Sequence, residues 1–317
     1  MLRLLLITTS SVMVIVTSGC GAGIGPGQAE GEVDLTVTRD YGKTVVAGPS
    51  TRELRESDTV MSLVDEIADV ETRYGGRFVQ AIDGVRSSGG ARTSDWFYFV
   101  NGVEAEVGAA TFRPGPGDSI WWDFRDWTEA MYAGAVTGSY PAPLSSGPDG
   151  RGDGALFTCF AGESTCRLVR SRLEDDGIEL QSTSTATRSG QVEVVVGPIA
   201  QLERSQDAYG LEEGPRSSGV FARLAESGSS SGAGTVETLD ERGEVTGSFG
   251  AGTGLVAAVR SQGQAPVWLV TGTDERGVAR ASAALEPEAL ERTYAVVVPP
   301  GQEEMVPVPT ESGGPSR

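Results

Sequence analysis

The chain has no histidine, one lysine and three cysteines in 317 residues. The missing histidine removes Ser-His-Asp and Cys-His nucleophiles, imidazole general bases and imidazole metal ligands together. Chemistry would fall to a carboxylate, Tyr or Arg, and no nucleophile motif accompanies them. The reading is therefore of a protein that is not an enzyme, with no cofactor and no metal. Because Lys43 is the only lysine, the positive charge is almost all arginine, and 44 acidic residues against 25 basic ones leave a net charge of −19. So acidic a chain lacks the basic surface that phosphate backbones need, which excludes nucleic acid as a partner. Long apolar runs are also scarce. Leu4 to Val16 is apolar but shorter than the ~20 residues of a spanning helix.

That run has the build of an export signal. Arg3 supplies the positive start, and residues 1–20 form the whole leader. Thr17-Ser18-Gly19-Cys20 resembles the bacterial lipobox, in which a lipidated cysteine becomes the first residue after cleavage. Thr17 departs from the usual Leu, so a plain secreted form stays open. The lipobox reading implies an exported protein, lipid-anchored through Cys20 on the extracellular face of the cell membrane. It also accounts for the odd cysteine, leaving Cys159 and Cys166 as a pair. A disulfide is the default in an oxidising compartment. A free thiol pair is the alternative, and the spacing is not the Cys-x-x-Cys of redox sites.

Forty-four glycines and 16 prolines signal many turns. Residues 21–31 are Gly-rich and read as a flexible tether. A folded domain is expected over 32–130. Glu32 to Thr38 alternates like a half-buried strand, and Tyr41 to Val46 is a second candidate. Val60, Leu63, Val64, Ile67 and Val70 then recur at helical spacing, with Ser57 or Asp58 as the N-cap. Phe78 to Ile82 is a short strand. The aromatic run Trp96 to Val100 ends in Asn101-Gly102, a strong signal for a type I′ hairpin turn. Gly117 to Phe124 opens the closing strand, which runs on to Trp127.

The helix start Thr59-Val60-Met61-Ser62-Leu63, the Val100-Asn101-Gly102 turn, Gly108, and Gly117-Asp118-Ser119-Ile120-Trp121-Trp122 together resemble the domain of unknown function DUF4430. That domain is similar to the C-terminal β-domain of the cobalamin carriers transcobalamin and intrinsic factor. The resemblance covers roughly Val33 to Trp127. It implies an α+β fold, a β-grasp-like sheet with one packed helix, which in the carriers closes over the corrin ring.

Residues 131–154 are rich in Ala, Pro and Gly and read as an interdomain linker. Residues 155–300 alternate strand and helix signals, which predicts a second, α/β layered domain of no recognised family. Its helices are expected at Thr165 to Leu173, Val220 to Ala225, Thr253 to Arg260 and Asp274 to Leu285. Residues 301–317 are polar and Pro/Gly-rich and read as a disordered tail.

Strand alternation divides the rings of the first domain. Ile120, Trp122 and Phe124 form one face of the closing strand; Trp121, Asp123, Arg125 and Trp127 share the other. A sheet covered by one helix buries one face, so the second set needs a partner. The candidate ligand-binding residues are Phe97, Phe99, Trp121, Arg125 and Trp127. A flat conjugated molecule would stack on the rings, and Arg125 would meet an anionic group. The resemblance names cobalamin or a related cofactor as the ligand class, with the protein acting beside an uptake transporter. The alternative is a non-catalytic protein-interaction module of the cell envelope, which burial of these rings between domains would favour.

Overall fold

The computed structural model describes residues 29–86, 93–147, 154–182, 190–202, 209–225, 234–302 and 304–311. The expected export leader, Cys20 and most of the expected tether lie outside the described residues. The first half contains β1 (Ala29–Arg39), β2 (Thr44–Arg55), α1 (Val60–Asp65), β3 (Val70–Arg73), β4 (Phe78–Ile82), β5 (Val85–Arg86), β6 (Ser94–Val100), β7 (Val103–Glu104) and β8 (Ser119–Asp126). The second half opens with α2 (Ala142–Ser145), β9 (Ala155–Cys159), α3 (Glu163–Asp175), β10 (Leu180–Ser182) and β11 (Glu193–Pro198). It continues through α4 (Ile199–Leu202), α5 (Tyr209–Glu213), α6 (Pro215–Ser218), β12 (Ala222–Ala225), β13 (Thr235–Leu239) and β14 (Val245–Phe249). It closes with β15 (Gly254–Val259), β16 (Val267–Gly272), α7 (Glu275–Ala283), α8 (Pro287–Leu290), β17 (Ala295–Val298) and β18 (Val306–Val308).

Five strands of the first half form one sheet in the order β2-β1-β8-β6-β7. The hairpin β1–β2 and the antiparallel pair β6–β8 are joined by the parallel central pair β1–β8. With α1 inserted after the first hairpin, this is the expected α+β, β-grasp-like arrangement. Asn101 and Gly102 take φ of +49° and +72°, as a two-residue turn with both central positions left-handed requires. Asn101 also locks the turn to the start of β8. Its Nδ2 donates to Asp118 Oδ1 at 2.8 Å, and Ser119 N–H donates to its Oδ1 at 3.0 Å.

Helix α1 is shorter than its apolar spacing predicts. The cap is Thr59, not Ser57 or Asp58. Ser62 N–H donates to Thr59 Oγ1 at 3.1 Å, and Thr59 N–H donates to Ser62 Oγ at 2.8 Å, a reciprocal capping box. The helix stops at Asp65 because Val70 is drawn into β3, opposite Ile82 of β4. Ile67 and Val70 still pack on the core, but from a turn and a strand.

The second half centres on a seven-stranded sheet, β10-β9-β11-β16-β15-β17-β18, beside a three-stranded sheet β12-β13-β14. Two expected helices are strands here. Gly254–Val259 is β15, nearly all buried between β16 and β17, and Ala222–Ala225 is β12. A strand covered on both faces, as β15 is, loses its two-residue alternation, so its apolar run mimics a buried helix. Three stretches read as unstructured are also part of the fold. Ala29 to Gly31 begins β1. In the expected linker, Ala133, Val136 and Leu144 are buried, with Val136 N–H donating to Gly102 O at 2.8 Å. In the expected tail, β18 pairs with β17, and Thr310 N–H donates to Leu239 O at 2.9 Å. Small residues in 130–138 serve close packing rather than flexibility. A Cβ on Gly138 would come within 2.8 Å of the Trp121 ring.

Candidate functional site

The face of β8 bearing Trp121 is not open; the second half of the chain covers it. The cross-strand register places Phe99 opposite Trp121 and Phe97 opposite Asp123, so these side chains share one face as alternation requires. Tyr294, just before β17, inserts its ring among them. Its centroid lies 5.4 Å from Trp121, 5.7 Å from Phe99 and 5.1 Å from Tyr41, all at steep interplanar angles. Phe221 packs on Tyr41 at 5.0 Å. Trp121 and Phe99 are 3% and 0% exposed and belong to one core with Val195, Leu255, Leu269 and Val297 of the second half. This core removes the room a flat ligand would need.

The polar groups on this face are used internally as well. Asp123 is fully buried; its Oδ1 accepts from Thr38 Oγ1 at 2.6 Å and Gly42 N–H at 3.1 Å, and its Oδ2 from Tyr294 OH at 2.9 Å. Trp121 Nε1 donates to Thr38 Oγ1 at 2.7 Å. Burial pushes the Asp123 carboxyl above the ordinary range, against the pull of those donors, and lifts the Tyr294 hydroxyl well above its usual value. Arg125 is 1% exposed and is engaged inside the protein: it donates to Glu104 Oε2 at 3.0 Å and to the Ala130 carbonyl, and its guanidinium lies 3.8 Å over the Phe97 ring. Phe97 is half-buried. Trp127 lies past the end of β8, half-buried, with its amide donating to Thr93 O at 2.8 Å. Of the five expected ligand residues, four meet on one face, and that face is an interface between the halves.

The other face of the same strands carries the better candidate. A cavity of about 160 Å³ opens between α1, β4 and the sheet, lined by Met61, Arg77, Phe78, Val79, Trp96, Tyr98, Gly108, Ala109 and Trp122. Tyr98 and Trp122 are cross-strand partners with ring centroids 5.0 Å apart. Trp96 Nε1 donates to Val85 O at 3.1 Å, and Tyr98 OH donates to Val107 O at 2.5 Å. Trp122 differs: it is 2% exposed and its indole N–H, out of solvent, has no acceptor. An unmet buried donor costs roughly 1–3 kcal/mol. At the rim Phe78 is 43% and Tyr74 75% exposed. Arg77 makes no ion pair among the described residues; its Nε donates only to Tyr74 O, at 3.4 Å.

The sequence reading assigned Trp122 to the core and overlooked this pocket. The missed signal is the length of the helix. Eleven helical residues would cover about 16 Å of sheet, whereas six cover about 9 Å. A larger groove of about 400 Å³ lies between the β1–β2 and β13–β14 turns, lined by Asp40, Lys43, Glu241, Arg242 and Glu311 among others. It is open and carries charges of both signs, and it has no apolar wall to hold a ligand.

In the second half the disulfide forms. Cys159 at the end of β9 is bonded to Cys166 in the first turns of α3, with Cα atoms 5.9 Å apart. Among the described residues no helix is long and apolar enough to cross a membrane, and no three His, Cys, Asp or Glu side chains are grouped to hold a metal.

The fold and sites define a β-grasp-like domain joined through a shared core to an α/β body. Within the first of these, residues 57–126 match the family model DUF4430, a domain of unknown function. No curated protein matches the chain. Among solved structures, a protein of Ruminococcus gnavus ATCC 29149 to which metal binding is ascribed is 16% identical. The alignment covers 31% of this chain and 98% of that one, with a TM-score of 0.24. So low a score carries no argument about fold or ligand.

Proposed function

We propose that this is an exported, lipid-anchored and non-catalytic binding protein, whose β-grasp-like domain takes a ring-sized group into the Trp122 pocket. The observation that carries the reading is the buried, unpartnered Trp122 N–H in the wall of an aromatic cavity. Ligand sites combine an apolar lining with a few unmet polar groups. A cavity of about 150 Å³ accommodates a benzene ring, so this pocket suits a single ring. A whole corrin far exceeds it. Cobalamin could engage only through a projecting ring, and a role beside an uptake transporter would rest on such partial contact. The Trp121 core supports the non-catalytic reading, because the buried Asp123 is held by Thr38, Gly42 and Tyr294, and the buried Arg125 by Glu104 and the Ala130 carbonyl. A second reading, a protein-interaction module, is favoured by the exposed Tyr74 and Phe78 at the rim.

Filling the pocket tests the reading. Ala109→Leu projects a larger side chain into the cavity from its wall. It should abolish saturable binding of indole or toluene in a calorimetric titration and leave the melting temperature within a few degrees. If neither probe binds the wild type saturably, the pocket is not a binding site. Native mass spectrometry of the purified protein would report a ligand carried through purification.

A further inference from the structure

The Trp122 pocket carries a second signal, in its charge. The chain has a net charge of −19, and several arginines are paired with carboxylates: Arg86 with Glu71, Arg55 with Glu53 and Arg260 with Glu106. Among the described residues Arg77, like the exposed Arg73 and Arg113, is not. It lines the pocket, is exposed, and has no carboxylate partner among the described residues. Its neighbours on the rim are Phe78 and the walls of Trp96 and Tyr98, so an anion approaching it meets rings on one side and a guanidinium on the other. We infer that the ligand is a small aromatic carboxylate, whose ring enters the cavity while its carboxylate pairs with Arg77. This inference rests on the reading of the pocket as a binding site.

Three features of the geometry support this class. The cavity holds one ring and little more. Arginine binds planar carboxylates through paired N–H donors and keeps its charge at all working pH values. The unmet indole N–H rewards a ligand with an acceptor at its inner end, such as a phenol oxygen or a ring nitrogen, because pairing removes a standing cost. Trp122 N–H has almost no contact with solvent, so an acceptor reaches it only as the pocket wall adjusts.

The test is a fluorescence and calorimetric titration of the intact chain with 4-hydroxyphenylacetate, phenylacetate and phenylacetamide. For ligands of about ten heavy atoms, Kd on the order of 0.1–1 mM is expected. The acids should bind at least tenfold more tightly than the amide, and the hydroxylated acid most tightly. Arg77→Gln should bring acid binding down to the level of the amide, leave the amide unchanged and leave the melting temperature unchanged. Trp122→Phe keeps a ring in the wall and removes the donor, so it should erase the preference for the hydroxylated acid. If acid and amide bind equally, or Arg77→Gln has no effect, the assignment of ligand class is overturned while the pocket stands. If none of the three binds, the pocket itself fails and the inference fails with it.

Discussion

Trp121→Ala distinguishes a buried joint from an open binding face. In the structure the indole packs against Phe99 and Tyr294 at 5.4 Å each, and its N–H is satisfied by Thr38. Truncating such a side chain costs about 3–5 kcal/mol, from lost burial and the cavity left behind. Gly42 and Gly138 flank the ring with backbone that a Cβ would already crowd, so collapse into the hole is limited and the upper part of that range applies. If the halves unfold together, the whole chain melts with an entropy of about 0.65 kcal/mol/K, and the transition should fall by about 6–8 °C. If the first half melted alone, its smaller entropy would lower its own transition about three times as far. Differential scanning calorimetry separates the cases, and a single transition that moves as a whole is the expected result. An unchanged melting temperature, with the variant losing ligand instead, would mean the ring is exposed and would refute the interface described here.

Three further predictions follow from the same contacts. Asp123 has its folded pKa raised by burial, so the stability it contributes is complete below the unfolded value of about 4 and is lost as pH rises through the folded value. In urea melts across pH 4–8, the wild type should therefore gain on Asp123→Asn as pH falls, and parallel profiles would contradict the raised pKa. The Cys159–Cys166 bond closes a short loop and should contribute about 2–3 kcal/mol; alkylation of the unreduced native protein should label neither thiol, and labelling of both would disprove the bond. Cys20→Ser should release the protein from the membrane fraction, and retention there would rule out lipidation at that residue.

The strand alternation in Trp96–Val100 and Ile120–Trp127 was legible in the sequence, because a period of two needs only the order of residues. The Asn101-Gly102 turn was legible because few residue pairs adopt two successive positive φ values. The partner of each face was not legible. Tyr294 lies 173 residues after Trp121 in the sequence, and nothing local signals that it returns to the first sheet. The linker was misread for a related reason. Ala, Gly and Pro mark flexible chain when it is solvated, but they also let backbone lie close against a ring, as at Gly138. Strand β15 was misread because burial on both faces erases alternation. The Trp122 pocket required knowing that α1 ends at Asp65, and tertiary pairing of Val70 decides that end.

The closing strand β8 has two aromatic faces, and the physical difference between them lies in what covers them: the second half of the chain packs on one, and a cavity opens on the other. On the Trp121 side every buried charge has its counterpart: Asp123 has three donors, Arg125 has Glu104 and the Ala130 carbonyl, and Trp121 has Thr38. Arg125 Nε has no acceptor there, but the second half of the chain covers this face and makes it a joint, since an inserted ligand would displace Tyr294 and break these bonds. On the Trp122 side the rings are as many, but the indole N–H of Trp122 and the guanidinium of Arg77 lack acceptors that would match them. A bound group could satisfy both without displacing an existing partner. Ring density led the sequence reading to the first face. The covering core and the open cavity favour the second face for the proposed binding role, and the first face joins the β-grasp-like domain to the α/β body.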